Sequence, residues 1–159
     1  MKKIVLIAFL ASAFAGCLKG ESGSTCNYEE CRIVAPASEI QSLQNYLNAN
    51  SITAIQHCSG LFYAIDQEGT GVKPTVCNRI VFNYVGRLTD GTVFDQSQTP
   101  ADFRIDDLIS GFKNGIPLIK KGGKIRLYVP PSLGYGSSQS GSIPPNSILI
   151  FNVELLDVR

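Results

Sequence analysis

A chain of 159 residues with 44% hydrophobic and 17% charged side chains is long enough for one globular core and too apolar to remain disordered. Its formal charge is +1; without Lys2 and Lys3 the basic count falls from 14 to 12 against 13 acids, leaving −1, which excludes an electrostatic footprint for nucleic acid. Fifteen glycines and eight prolines favour short strands and turns over a helical bundle.

The first residues read as an address. Met1-Lys2-Lys3 is a positive start, residues 4–10 are apolar, and residues 11–16 are mostly small. This is the pattern of a secretory signal peptide over residues 1–16, too short to span a bilayer. Phe14-Ala15-Gly16-Cys17 resembles a bacterial lipobox, with Phe14 where leucine is preferred. The expectation is an exported chain anchored to a membrane by lipid on Cys17. Ordinary cleavage after Ala13-Phe14-Ala15 is the alternative. Leu18 stands where an inner-membrane retention signal would have Asp, which tilts the reading toward the outer membrane.

Cysteine arithmetic agrees with lipidation. Of five cysteines, lipidating Cys17 leaves Cys26, Cys31, Cys58 and Cys77, an even set that in an exported chain suggests two disulfides. Three connectivities are open; Cys26–Cys31 with Cys58–Cys77 is preferred, the first closing a small loop. No C-x-x-C occurs and only His57 lies nearby, so no metal site is expected. His57 itself reads as a surface or linker residue.

Residues 17–57 form the expected tether and appendage, and residues 58–159 the main domain. Residues 18–25 are small and polar. Ser38-Glu39-Ile40-Gln41 then reads as a capping box, and Ile40, Leu43 and Leu47 form a helical stripe fading in Asn48-Ala49-Asn50. One short stripe suits packing on the main domain better than dimerisation, so a monomer is expected.

Beyond Gly60 the pattern turns to β. Residues 61–66 suit a first strand, and Ile80, Phe82 and Tyr84 alternate with Val81, Asn83 and Val85. Asp90-Gly91 signals a hairpin. A short helix fits residues 109–119, with Pro117 in its last turn. In residues 124–129, Ile125, Leu127 and Val129 should face inward and Lys124, Arg126 and Tyr128 outward. Residues 148–158 make the final strand. The sum is an α+β architecture: an antiparallel twisted β-sheet wrapped around one short helix, with a short N-terminal helical appendage.

The chemistry-bearing residues form an ordered series. Tyr84 precedes Gly86 and Leu88, and Phe94-Asp95 follows the hairpin. Phe103 lies in a Phe-x-Ile run before Leu108-Ile109-x-Gly111, and Phe112 comes next. Tyr135 lies in Pro131-Ser132-Leu133-Gly134-Tyr135-Gly136. Ile143 precedes Pro144-Pro145, and Phe151 lies in the last strand. No nucleophile and no acid–base pair accompanies them. Taken singly, each is an ordinary core aromatic or turn acid. In this order, across residues 60–159, they closely resemble the FKBP family of peptidyl-prolyl cis-trans isomerases.

The resemblance implies an apolar pocket walled by Phe94, Phe103, Leu108, Ile109, Phe112, Ile143 and Phe151, with Asp95, Tyr135 and Tyr84 as catalytic residues. It also implies proline-containing client polypeptides as partners, macrolide inhibitors, and no cofactor. The family commonly has tryptophan at the pocket floor; this chain has Phe112 and no tryptophan at all. A smaller floor keeps open a second reading, a proline-segment binding module with little turnover.

Overall fold

Pro36 sets where the first helix begins. The structure, a computed structural model, describes residues 26–159 and places helix α1 at Ala37–Ala49. The expected signal peptide, the lipid site at Cys17 and the tether lie outside the described residues. The Pro36 carbonyl accepts from the Glu39 and Ile40 N–H groups at 3.0 and 3.1 Å, opening the helical ladder before Ser38. The expected capping box therefore does not form: Ser38 is already inside the helix, and no side chain caps its start. Glu39 turns to another element, accepting the Ser132 N–H at 2.9 Å. Leu43 and Leu47 are fully buried against Phe62 and Tyr128. Each such leucine contributes roughly 1.5–3 kcal/mol of burial. The apolar stripe is thus covered by the chain's own sheet.

That sheet has seven strands: β1 Ile55–Gln56, β2 Phe62–Gln67, β3 Arg79–Arg87, β4 Val93–Gln96, β5 Ala101–Arg104, β6 Lys124–Val129 and β7 Leu149–Val158. Their order is β1-β2-β6-β7-β3-β4, with β5 also paired to β3. Every pairing is antiparallel. The expected α+β architecture is the one observed. β1 lies before residue 58, so the sheet begins inside the segment assigned to the appendage. The hairpin at Asp90-Gly91 joins β3 to β4: the Asp90 carboxylate accepts the Thr92 N–H at 2.9 Å, and Gly91 takes the left-handed φ of 88° the turn requires.

Helix α2, Ser110–Gly115, crosses one face of the sheet and runs into a 3-10 turn over Ile116–Leu118, which holds Pro117. Two glycines let it lie close. A Cβ on Gly111 would come within 2.7 Å of both Val129 methyls, and one on Gly115 within 2.5 Å of a Leu127 methyl. The main core fills this layer, with Phe82, Ile116, Ile125, Leu127, Val153 and Leu155 all buried. Tyr128 was expected to face outward. It does leave this core, but only 2% of it is exposed, because α1 covers the opposite face of the sheet. Among the described residues no helix is long and apolar enough to cross a membrane.

The disulfides correct the preferred pairing. Cys26 bonds to Cys77 and Cys31 to Cys58, with Cα atoms 5.7 and 5.8 Å apart. Closing a short loop saves little entropy relative to a longer one, so nearness in sequence is a weak guide. Tertiary contacts decide instead. The Tyr28 hydroxyl donates to Asn114 at 2.6 Å and the Ala35 N–H to the Ser59 carbonyl at 2.9 Å, which lays the segment before α1 across the domain. His57 is corrected as well. It is buried, 2.8 Å from Glu30 and 2.9 Å from Ser59.

Candidate active site

Alternation along β3 sends Phe82 and Tyr84 to the same face, and the rest of the site assembles around them. β4 adds Phe94 and Asp95, β5 adds Phe103, and β7 adds Phe151. The turn before α2 adds Asp107, Leu108 and Ile109; α2 adds Phe112, and the loop after β6 adds Tyr135. Together these eleven residues line a cavity of about 280 Å³.

The cavity is a cup with a dry floor and a wet lip. Phe82, Phe112 and Phe151 are 2–5% exposed, whereas Phe103 and Tyr135 are 47% and 41% exposed. The rings hold one another. Phe112 meets Phe151 edge-on at 4.8 Å between centroids, and Phe94 meets Phe151 edge-on at 5.5 Å. Phe82 touches Tyr84, Phe103 and Phe112 at 5.6, 6.4 and 5.8 Å. Such pairs add about 0.5–1.5 kcal/mol each beyond simple burial and fix the shape of the wall. Gly86 makes room for this packing, since a Cβ there would fall 2.6 Å from the Phe94 ring and 3.0 Å from Phe151.

One polar pair marks the lip. The Tyr84 hydroxyl donates to the Asp95 carboxylate at 2.6 Å. Burial, then the hydrogen bond and charge of Asp95, push Tyr84 up to about 12, so it remains a proton donor at neutral pH. The Tyr84 backbone is clipped twice by Ser97: its N–H donates to Ser97 Oγ at 3.0 Å, and its carbonyl accepts the Ser97 N–H at 3.0 Å. Among the described residues, the Ile109 N–H and the Tyr135 hydroxyl have no hydrogen-bond partner within the chain. Both stand on the lining, available to a ligand carbonyl.

The cavity gathers nine of the ten residues expected from sequence. Ile143 is the exception: it is buried, bridges to Ser140 and braces the loop that follows Tyr135, and it does not line the cup. Two lining residues escaped the sequence reading. Phe82 was legible, two positions before Tyr84 on the same strand face. Asp107 had no signal beyond its place before Leu108. The lining holds no serine, cysteine, histidine or lysine; its polar side chains are Tyr84, Asp95, Asp107 and Tyr135, which can bind and polarise an amide.

Sequence and fold both resemble known proteins. The sequence profile of the FKBP-type peptidyl-prolyl cis-trans isomerase family matches residues 71–156. The chain is 48% identical over 104 residues to the FKBP-type peptidyl-prolyl cis-trans isomerase FkpA of Escherichia coli K12. That match covers 64% of this chain and 38% of the relative, so the aligned stretch is well under half of that protein. A probable FKBP-type peptidyl-prolyl cis-trans isomerase of Haemophilus influenzae is 46% identical over 105 residues, covering 64% of this chain and 44% of that one. The crystal structure of Escherichia coli FkpA superposes with a TM-score of 0.70 at 40% identity, over 77% of this chain and 60% of that one. A peptidyl-prolyl cis-trans isomerase from Pseudomonas syringae pv. tomato superposes with a TM-score of 0.68 at 33% identity, over 78% and 96% of the two chains. With the profile covering more than half its length, the chain belongs to the FKBP-type peptidyl-prolyl cis-trans isomerase family.

Proposed function

We propose that this chain accelerates cis–trans isomerisation of X–Pro bonds in polypeptide clients. The observation that carries the reading is the aromatic cup with the Tyr84–Asp95 pair on its lip and no serine, cysteine, histidine or lysine lining it. Rotation about an X–Pro amide takes tens to hundreds of seconds, against a barrier of about 18–20 kcal/mol set by amide resonance. No bond must be cleaved. Catalysis requires only that the twisted amide bind better than the planar one.

The cup favours the twisted form in two ways. Twisting breaks the resonance that separates charge along the amide, so a dry aromatic site penalises the twisted state less than the planar one. The proline ring enters over Phe112 and Phe151. The Ile109 N–H and Tyr135 hydroxyl hold the flanking carbonyls, while Asp95, oriented by Tyr84, meets the polarised carbonyl carbon. These groups are in place before the substrate arrives, and Asp95 transfers no proton.

A protease-coupled assay on a proline tetrapeptide tests this. The full chain should accelerate isomerisation, FK506 should inhibit it, and Asp95→Ala should lower kcat/KM by about tenfold to a hundredfold. Tyr135→Phe should have a milder effect. Peptide binding without acceleration would establish the binding-module reading instead, and Phe112→Trp would then show whether the small floor is responsible.

Export and anchoring complete the proposal. The leader pattern over residues 1–16, Cys17 after Gly16, and two disulfides among the other four cysteines support a lipid-anchored protein outside the cytoplasm. Cys17→Ala should move the chain from the membrane fraction to the soluble one. Retention of that variant in the membrane fraction would refute the anchor.

A further inference from the structure

His57, the chain's one histidine, lines no part of the cup and stands beside a disulfide. Its contacts favour one neutral tautomer. The Ser59 N–H donates to Nδ1 at 3.3 Å, and Ser59 Oγ lies 2.9 Å from the same nitrogen. Nε2 lies 2.8 Å from the Glu30 carboxylate. Nδ1 is therefore the acceptor, and Nε2 carries the proton given to Glu30. Cys31 Sγ is 3.7 Å from Nδ1, and Cys58 Sγ lies beside the ring, 3.8 Å from Nδ1 and 3.9 Å from Nε2. Cys58 is exposed and Cys31 half-buried. Cys31 also has a φ of 63°, which non-glycine residues adopt only when their surroundings hold them there.

The second disulfide is a control built into the same chain. Cys26 is exposed and Cys77 half-buried, matching the first pair in accessibility. With a single histidine in the sequence, that pair has no imidazole to serve it.

We propose that Cys31–Cys58 is an exchange-active disulfide that oxidises dithiols in polypeptides, with His57 as the group that receives the leaving sulfur. A dithiol gives its first proton to Nδ1, and the resulting thiolate attacks Sγ of Cys58, the more exposed residue of the pair. A bond forms between them, the Cys31–Cys58 bond breaks, and the electron pair goes to Cys31 Sγ. The imidazolium lies beside this thiolate, Nδ1 being 3.7 Å from Cys31 Sγ, while Glu30 accepts from Nε2–H; Nδ1 then passes its proton to Cys31 Sγ and returns to the neutral ring. A thiolate beside a cation is a better leaving group than one alone. The second thiol of the dithiol attacks its partner's sulfur, Cys58 leaves and takes that thiol's proton, and the dithiol departs as a disulfide. Two electrons and two protons pass to the protein, which is left with two thiols. Glu30 is a positioning residue: it touches neither sulfur and acts by holding the ring.

Limiting dithiothreitol, followed by alkylation and peptide mapping of the full chain, tests this. Cys31 and Cys58 should be reduced at least about tenfold faster than Cys26 and Cys77. A monothiol should be trapped on Cys58 rather than Cys31, and a reduced dithiol peptide should yield one peptide disulfide per chain. His57→Gln should remove both the rate difference and the preference for Cys58, with the far-UV circular dichroism unchanged. If His57→Gln does not fold, the surface variant Glu30→Gln decides, because it should narrow the rate ratio and weaken the Cys58 preference. Equal reduction of the two disulfides, or a variant that retains the full ratio and preference, overturns the proposal. None of these measurements depends on isomerase activity, so the two readings stand or fall separately.

Discussion

Tyr84 shows how much one side chain carries at this site. It forms part of the wall through its ring, orients Asp95 through its hydroxyl, and joins β3 to the β4–β5 segment through its backbone. Its folded-state pKa of about 12 lies above its ordinary value of about 10. The stability it contributes through ionisation is therefore complete below pH 10 and is lost as pH rises through about 12. Tyr84→Phe should be less stable than the parent in urea at pH 7, and the gap should narrow as pH climbs from 10 toward 12. A gap that stays constant over that range would mean that burial and Asp95 do not raise the Tyr84 pKa on folding. Most site residues were legible through the family resemblance that their joint order carries, since each alone reads as an ordinary core aromatic or turn acid. Ile143 shows the limit of such reading, since a position in an ordered series does not say which way a side chain faces across a loop. His57 shows another: burial beside Glu30 arises from contacts 27 residues apart, which no local pattern records.

The two helices lie on opposite faces of the sheet, and their substitutions should separate accordingly. Leu43→Ala on α1 opens a hole against Phe62 and Tyr128 and should cost about 2–5 kcal/mol in chemical denaturation while leaving kcat/KM for a proline tetrapeptide unchanged. Gly115→Ala on α2 forces a methyl into Leu127, should cost about 1–3 kcal/mol, and should also lower kcat/KM, because Phe112 moves with the helix. Equal kinetic effects from both would show that the sheet does not isolate its faces. The helical stripe and the strands were readable from periodicity, and boundaries shifted where one residue outweighed the pattern. Pro36 displaced the capping box, and the cover provided by α1 turned an apparently outward Tyr128 into a core residue. Alternation says which residues share a face; it does not say whether both faces are covered.

At the scale of the molecule, two crosslinks tie the N-terminal segment to the domain. Cys26–Cys77 spans 51 residues. A loop of that length restricts the unfolded chain by about 4 kcal/mol in the chain-entropy account. Replacing both residues by alanine should lower stability by about 2–4 kcal/mol, read as a shift in the urea midpoint with the cup's kinetics retained. A midpoint that does not move would place the bond's effect elsewhere than in chain entropy. β3 has a consequence of another kind. One edge pairs with β7 from Ile80 to Arg87, with a single bulge between Val81 and Phe82, but its other edge changes partner, from β5 beside Phe82 to β4 beside Val85, with Tyr84 clipped by Ser97 between them. Phe103 and Asp95 therefore stand on separate panels hung from one continuous spine. Flexing of residues 98–100, beyond the Ser97 clip, should widen or narrow the mouth while the β3–β7 ladder stays paired. Amide exchange should be fastest at that seam and slow there when a proline peptide closes the two panels around it.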